Sequence, residues 1–91
     1  MFINKIKKII IKMNLNVCWK NHPAFKIQIS KDNTLLDLKK AIANHFNENY
    51  TGFNVLSGNS IYDSSFNSRT LRDLKIARVI RLPINYVPGN A

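Results

Sequence analysis

Cys18, His22 and His45 are the only cysteine and histidine side chains in this 91-residue sequence. They are therefore its whole supply of thiol and imidazole for nucleophilic, general-base or soft-metal chemistry. Structural zinc sites need four such ligands in short, paired spacings, and these three residues are not spaced that way. Cys18 has no cluster of charge nearby in sequence to lower its pKa, so it reads as a small packing residue. His22 falls in a turn, and His45 near a helix end, where an imidazolium complements the helix dipole. The five acids, Asp32, Asp37, Glu48, Asp63 and Asp73, form no close pair suited to acid/base work. Gly52, Gly58 and Gly89 are too scattered to cradle a phosphate. Asn49-Tyr50-Thr51 matches a glycosylation acceptor by chance, since no signal peptide is evident. The expectation is a non-catalytic chain with no metal and no cofactor.

What the sequence does carry is charge. Lysine and arginine total 14 against five acids, for a net charge of +9. Such an excess neutralises phosphate without a special motif, so nucleic acid enters as a secondary partner. The aromatics Trp19, Phe25, Phe46 and Phe53, however, fall on core faces and leave no platform for stacking bases. Lys5, Lys7, Lys8 and Lys12 crowd the first twelve positions, which hold no acid. On a helix, Phe2, Ile6, Ile9 and Ile10 share one face and Lys5, Lys8 and Lys12 the other. The isoleucine run 9–11 also suits a strand. Residues 1–12 are expected to dock on a partner; a targeting or membrane-surface element and a solvated tail are the alternatives. A single cysteine excludes a disulfide scaffold and favours a reducing, intracellular compartment, cytoplasm or mitochondrion. No apolar run reaches the roughly 20 residues of a transmembrane helix.

The elements follow from periodicity. Met13, Leu15, Val17 and Trp19 alternate with polar residues, and so do Phe25, Ile27 and Ile29. Asn21 to Ala24, containing Pro23, reads as the turn of a hairpin with one apolar face. The period then lengthens. Thr34 with Asp37 resembles a capping box, and Leu35, Leu38, Ile42 and Phe46 recur at helical spacing, with Lys39, Lys40 and Asn44 pointing elsewhere. Residues 53–56 form a short strand, Ile61-Tyr62 a smaller one inside a Ser/Asn-rich loop over 57–68. Arg69 to Leu74 make one helical turn whose Leu71 and Leu74 plug the core. Residues 77–84 are the last strand, with Ile80, Leu82 and Ile84 on one side and Val79 and Arg81 on the other. Residues 85–91 show no periodicity. Leu15, Val17, Ile27, Ile29, Leu38, Ile42, Leu71 and Ile80 are expected to meet in one core.

This order of elements resembles the ubiquitin family. Met13-Asn14-Leu15-Asn16-Val17 falls where ubiquitin's first strand begins, and Thr34 to Ile42 is similar to its central helix. Arg69-Thr70-Leu71-Arg72-Asp73-Leu74-Lys75-Ile76 is similar to the Arg-Thr-Leu-Ser-Asp-Tyr-Asn-Ile stretch before its last strand. The resemblance implies an α+β ubiquitin-like β-grasp, a mixed sheet packed on one central helix. It spans residues 13–84, between a basic amphipathic extension (1–12) and a tail (85–91). It also implies a partner surface on the exposed sheet face, which falls on Val55, Val79 and Arg81.

The chain lacks a terminal Gly-Gly. Its single late glycine, Gly89, follows Pro88, which stiffens the backbone and removes a donor. The expected role is thus a protein-interaction or scaffold subunit of a larger assembly, with Phe2, Ile6, Ile9 and Ile10 as further partner contacts. The alternatives are a covalent modifier matured at Gly89, and an RNA-associated protein in a ribonucleoprotein.

Overall fold

The computed structural model describes residues 12–87. Its elements are β1 (Lys12–Trp19), β2 (His22–Ser30), α1 (Leu35–His45), β3 (Val55–Ser57), β4 (Ser60–Tyr62) and β5 (Val79–Arg81), with a single 3-10 turn at Ser64–Phe66. One five-stranded sheet has the order β2-β1-β5-β3-β4. β1 and β5 run parallel, and the other neighbours are antiparallel. The return from β1 to a parallel β5 needs a long crossover, which α1 supplies.

The hairpin is tighter than the sequence suggests. Trp19 pairs with His22, so the turn is Lys20-Asn21 rather than Asn21 to Ala24. Lys20 takes the left-handed conformation (φ 49°) that two-residue hairpin loops demand. Pro23 is accommodated inside β2 because β2 is an edge strand and its register slips there, between the Val17–Phe25 and Trp19–His22 pairs.

The helix begins and ends as its sequence dictates. Thr34 Oγ1 accepts the Asp37 N–H at 3.2 Å, and the Asp37 carboxylate accepts the Thr34 N–H at 3.0 Å, closing the capping box. The Thr34 N–H, with Asn33 Nδ2 beside it, holds the Asp37 carboxyl below the ordinary carboxylate range. At the other end Asn47 turns left-handed (φ 58°), and the Asn47 and Glu48 N–H groups donate to Asn44 and Ala43 carbonyls, a Schellman stop. Replacing Thr34 by alanine should cost about 0.5–2 kcal/mol, read as a lower urea midpoint with an unchanged slope.

Packing follows the periodicity. Leu15, Val17, Ile27 and Ile29 on the inner sheet face meet Leu35, Leu38 and Ile42 of α1, and Leu71, Leu74, Ile76 and Ile80 close the same cluster. All eight residues expected in the core lie in it. Leu71 and Leu74 plug it from a turn in which the Leu74 N–H donates to the Thr70 carbonyl and the Asp73 N–H to Thr70 Oγ1.

Three expectations need correction. Lys39 does not point to solvent; it is fully buried, its Nζ donating to Asn67 Oδ1 at 2.9 Å. The 64–67 turn folds back over that side of the helix and covers it. Ile84 is not an inward residue of the last strand but is 80% exposed. β5 stops at Arg81, Leu82 makes a final backbone bond to the Cys18 carbonyl, and Pro83 starts a turn closed by the Tyr86 N–H. Tyr86, in the stretch read as an aperiodic tail, is consequently a core residue.

Candidate functional site

The helix covers one side of the sheet, and the outward positions of the strands make up the other. Pairing register places them. Cys18 lies opposite Arg81, Arg81 opposite Leu56, and Leu56 opposite Ile61, a row running across β1, β5, β3 and β4. A second row joins Lys26, Asn16 and Val79. Paired residues share a face, so each row presents its side chains together. Ile61 is 61% exposed and Val79 45%, and Leu56 between them is half-buried. Scattered exposed apolar residues are ordinary; three on adjoining strands of one face form a patch.

Polar chemistry borders the patch. Arg81 Nη2 donates to the Gly58 carbonyl at 3.2 Å, which fixes the guanidinium beside the β3–β4 turn. Gly58 takes φ 59° in that turn, a conformation glycine adopts without cost. Lys12, Lys26 and Gln28 stand exposed on β1 and β2. None of the five acids lies on a strand. Each is engaged elsewhere: Asp37 in the helix cap, Asp63 with Ser65, Asp32 with Arg72, Asp73 with Arg69 and Glu48 with Tyr86. The open face is thus apolar at Val79, Leu56 and Ile61, basic at Arg81 and toward β1 and β2, and without an acid on any of its strands.

Of the residues expected to form this surface, Val79 and Arg81 stand on it. Val55 does not. It points inward and is fully buried: β3 begins only at Val55, where pairing with Tyr62 sets it on the opposite side of the sheet from Leu56. Its neighbour Leu56 takes the outward place. Leu56 and Ile61 escaped the sequence reading because the apolar stretch Val55-Leu56 does not itself reveal which residue faces out, and β4 has only three residues. Phe2, Ile6, Ile9, Ile10 and Gly89 lie outside the described residues.

Among the described residues no three histidine, cysteine or acidic groups are placed to hold a metal ion. The two imidazoles are packed as flat rings instead: His22 stacks on Trp19 at 4.3 Å between centroids, and His45 on Phe25 at 3.7 Å. No described helix is long and apolar enough to cross a membrane.

A mixed sheet whose parallel β1 and β5 flank a capped crossover helix has well-defined structural counterparts. The UBL domain of Plasmodium falciparum Dsk2 superposes with a TM-score of 0.66 at 22% identity, over 79% of this chain and 96% of that one. The ubl5 domain from the polyubiquitin locus of T. thermophila gives 0.70 at 17% identity, over 85% and 98%. The chain has the ubiquitin-like β-grasp fold. The C-terminal ubiquitin-like domain of mouse tubulin-specific chaperone e is more distant, at 9% identity, yet gives a TM-score of 0.60 over 97% of this chain and all of that one. No protein-family model matches the sequence. No curated protein matches it either. The likeness is one of architecture.

Proposed function

We propose that this chain is a non-catalytic protein-interaction subunit that docks a partner protein on the open sheet face through Leu56, Ile61, Val79 and Arg81. The observation that carries the reading is the apolar patch formed by Leu56, Ile61 and Val79 on a sheet side that nothing in the described chain covers. The solved neighbours add support, since they are themselves ubiquitin-like domains, among them domains cut from larger proteins. Burying three aliphatic side chains contributes roughly 1.5–3 kcal/mol for each one fully covered. Arg81, with the basic flank, favours an acidic rim on the partner. Residues 1–12 and the stretch beyond residue 84 serve in this reading as additional contacts that fix the domain in its assembly.

The test is a double substitution, Ile61→Asp with Val79→Asp. Both sites are exposed, so the melting temperature should stay close to that of the wild type. Tagged wild-type chain should retain proteins, identified by mass spectrometry, that the double variant loses. Equal recovery by the two chains would move the interface off this face. In the same spectra the intact chain should still end in Ala91; adducts ending at Gly89 would favour the covalent-modifier alternative.

A further inference from the structure

Six aromatic rings and two imidazoles gather at the end of the domain where the β1–β2 turn, the end of α1 and the chain after β5 meet. Within this cluster Tyr86 touches three rings, Phe53 at 4.7 Å, Trp19 at 5.6 Å and Phe46 at 5.9 Å between centroids. Its hydroxyl donates to the Glu48 carboxylate. Only 3% of Tyr86 is exposed. Burial and the neighbouring carboxylate both raise the phenol pKa far above its ordinary value, so the ring sits protonated in its slot.

The segment carrying this ring is held by little else. Leu82 makes the last backbone bond to a strand, and the Tyr86 N–H reaches only back to Pro83, within the segment itself. Ile84, Asn85 and Val87 are exposed. Beside the ring an open groove of about 280 Å³ runs between Tyr50, Phe53, Pro83 and Tyr86, so one side of the segment faces solvent. The indole of Trp19, buried beneath Tyr86, keeps an Nε1–H with no hydrogen-bond partner among the described residues. Native structures rarely leave such a donor orphaned.

The structure assigns residues 83–87 to a strap that closes by inserting Tyr86 into an aromatic slot built from Trp19, Phe46 and Phe53 and rimmed by Glu48. The strap opens as a unit while the sheet and α1 stay folded. Opening exposes the aromatic slot and the Trp19 N–H, and frees the chain beyond Leu82 to extend. Both consequences follow from one side chain leaving its place.

Hydrogen exchange on the full-length wild-type chain tests this directly. Under native conditions the Tyr86 amide should exchange at least about tenfold faster than the Leu82 amide, since local openings cost less than global unfolding. Equal rates for Tyr86, Leu82 and the strand amides of Leu15 and Val17 would overturn the strap. Trp19, the chain's single tryptophan, supplies the second measurement. Tyr86→Phe keeps the ring and loses the bond to Glu48; it should speed Tyr86-region exchange several-fold and increase acrylamide quenching of Trp19. Tyr86→Ala should raise quenching further while Leu15 and Val17 keep their protection. If Tyr86→Ala strips protection from Leu15 and Val17, or if neither variant changes Trp19 quenching, Tyr86 is an ordinary core residue and the inference fails.

Discussion

Ile42→Ala should leave the domain largely unfolded at 25 °C. Ile42 lies on the buried face of α1 and has no exposed surface. It belongs to the same cluster as Leu38 on its own helix and Leu15, Val17 and Ile27 on the sheet. Removing its branched side chain forfeits the transfer free energy of the lost carbons and leaves a cavity that a helix pinned at both ends cannot collapse. Such truncations cost about 2–5 kcal/mol. At the lower end of the usual range, roughly 0.05 kcal/mol per residue, as expected of a domain this small, the whole chain has about 5 kcal/mol to lose. A urea titration followed by far-ultraviolet circular dichroism should therefore show a missing or strongly shortened native baseline. A melt coincident with the wild type would mean that the helix docks through a different face.

The residues that made the fold legible are those whose local chemistry and burial agree. Thr34 and Asp37 close a cap within four residues of chain, and Leu35, Leu38 and Ile42 repeat at the period the helix imposes. Leu15 and Val17 alternate because one side of β1 is core and the other is open. Where reading failed, the deciding contact is remote in sequence. Lys39 reads as solvated because a lysine normally is, yet Asn67, 28 positions away, covers it. Ile84 fits the alternation of Ile80 and Leu82, but Pro83 ends the ladder and the chain turns. Tyr86 has no periodic neighbour to announce its burial; its slot is assembled from Trp19, Phe46 and Phe53, which belong to different parts of the chain.

The surface shows the same division. Val79 and Arg81 could be placed outward because Ile80 between them had to face in. Val55 and Leu56 could not be ordered, since both are apolar and only pairing with Tyr62 and Ile61 decides which faces the helix. A strand of three residues offers too few alternations to fix its own phase. Surface function on this fold is therefore a matter of register, which the sequence carries only through its longest strands.

Lys39→Glu should be as damaging as Ile42→Ala, whereas Lys39→Met should fold. Lys39 is 0% exposed, a lysine whose amine is held by one amide oxygen with Asp63 nearby. A glutamate there would bury a charge opposed by Asp63 and unmatched by any cation, a change worth about 3–5 kcal/mol. Methionine keeps most of the volume and removes the desolvated charge, so its cost should stay below about 1.5 kcal/mol. The alkaline limb of stability separates the causes. Burial pushes the Lys39 amine below its ordinary 10.5, against the weaker pull of Asp63. Between that lowered value and 10.5 the unfolded chain binds more protons than the folded one, so this group makes stability rise with pH. Tyr86 acts in the opposite sense: burial, then Glu48, raises its phenol above 10.0, and from there upward the folded state keeps a proton that the unfolded state has lost. Its contribution falls as pH rises further. Urea midpoints measured from about pH 8 to about pH 11 should show the Lys39 rise ending as the Tyr86 fall begins. Lys39→Met should lose the rise, and Tyr86→Phe should flatten the fall. An unchanged alkaline limb in Lys39→Met would mean that the amine reaches water in solution, and the burial argument for this residue would be wrong.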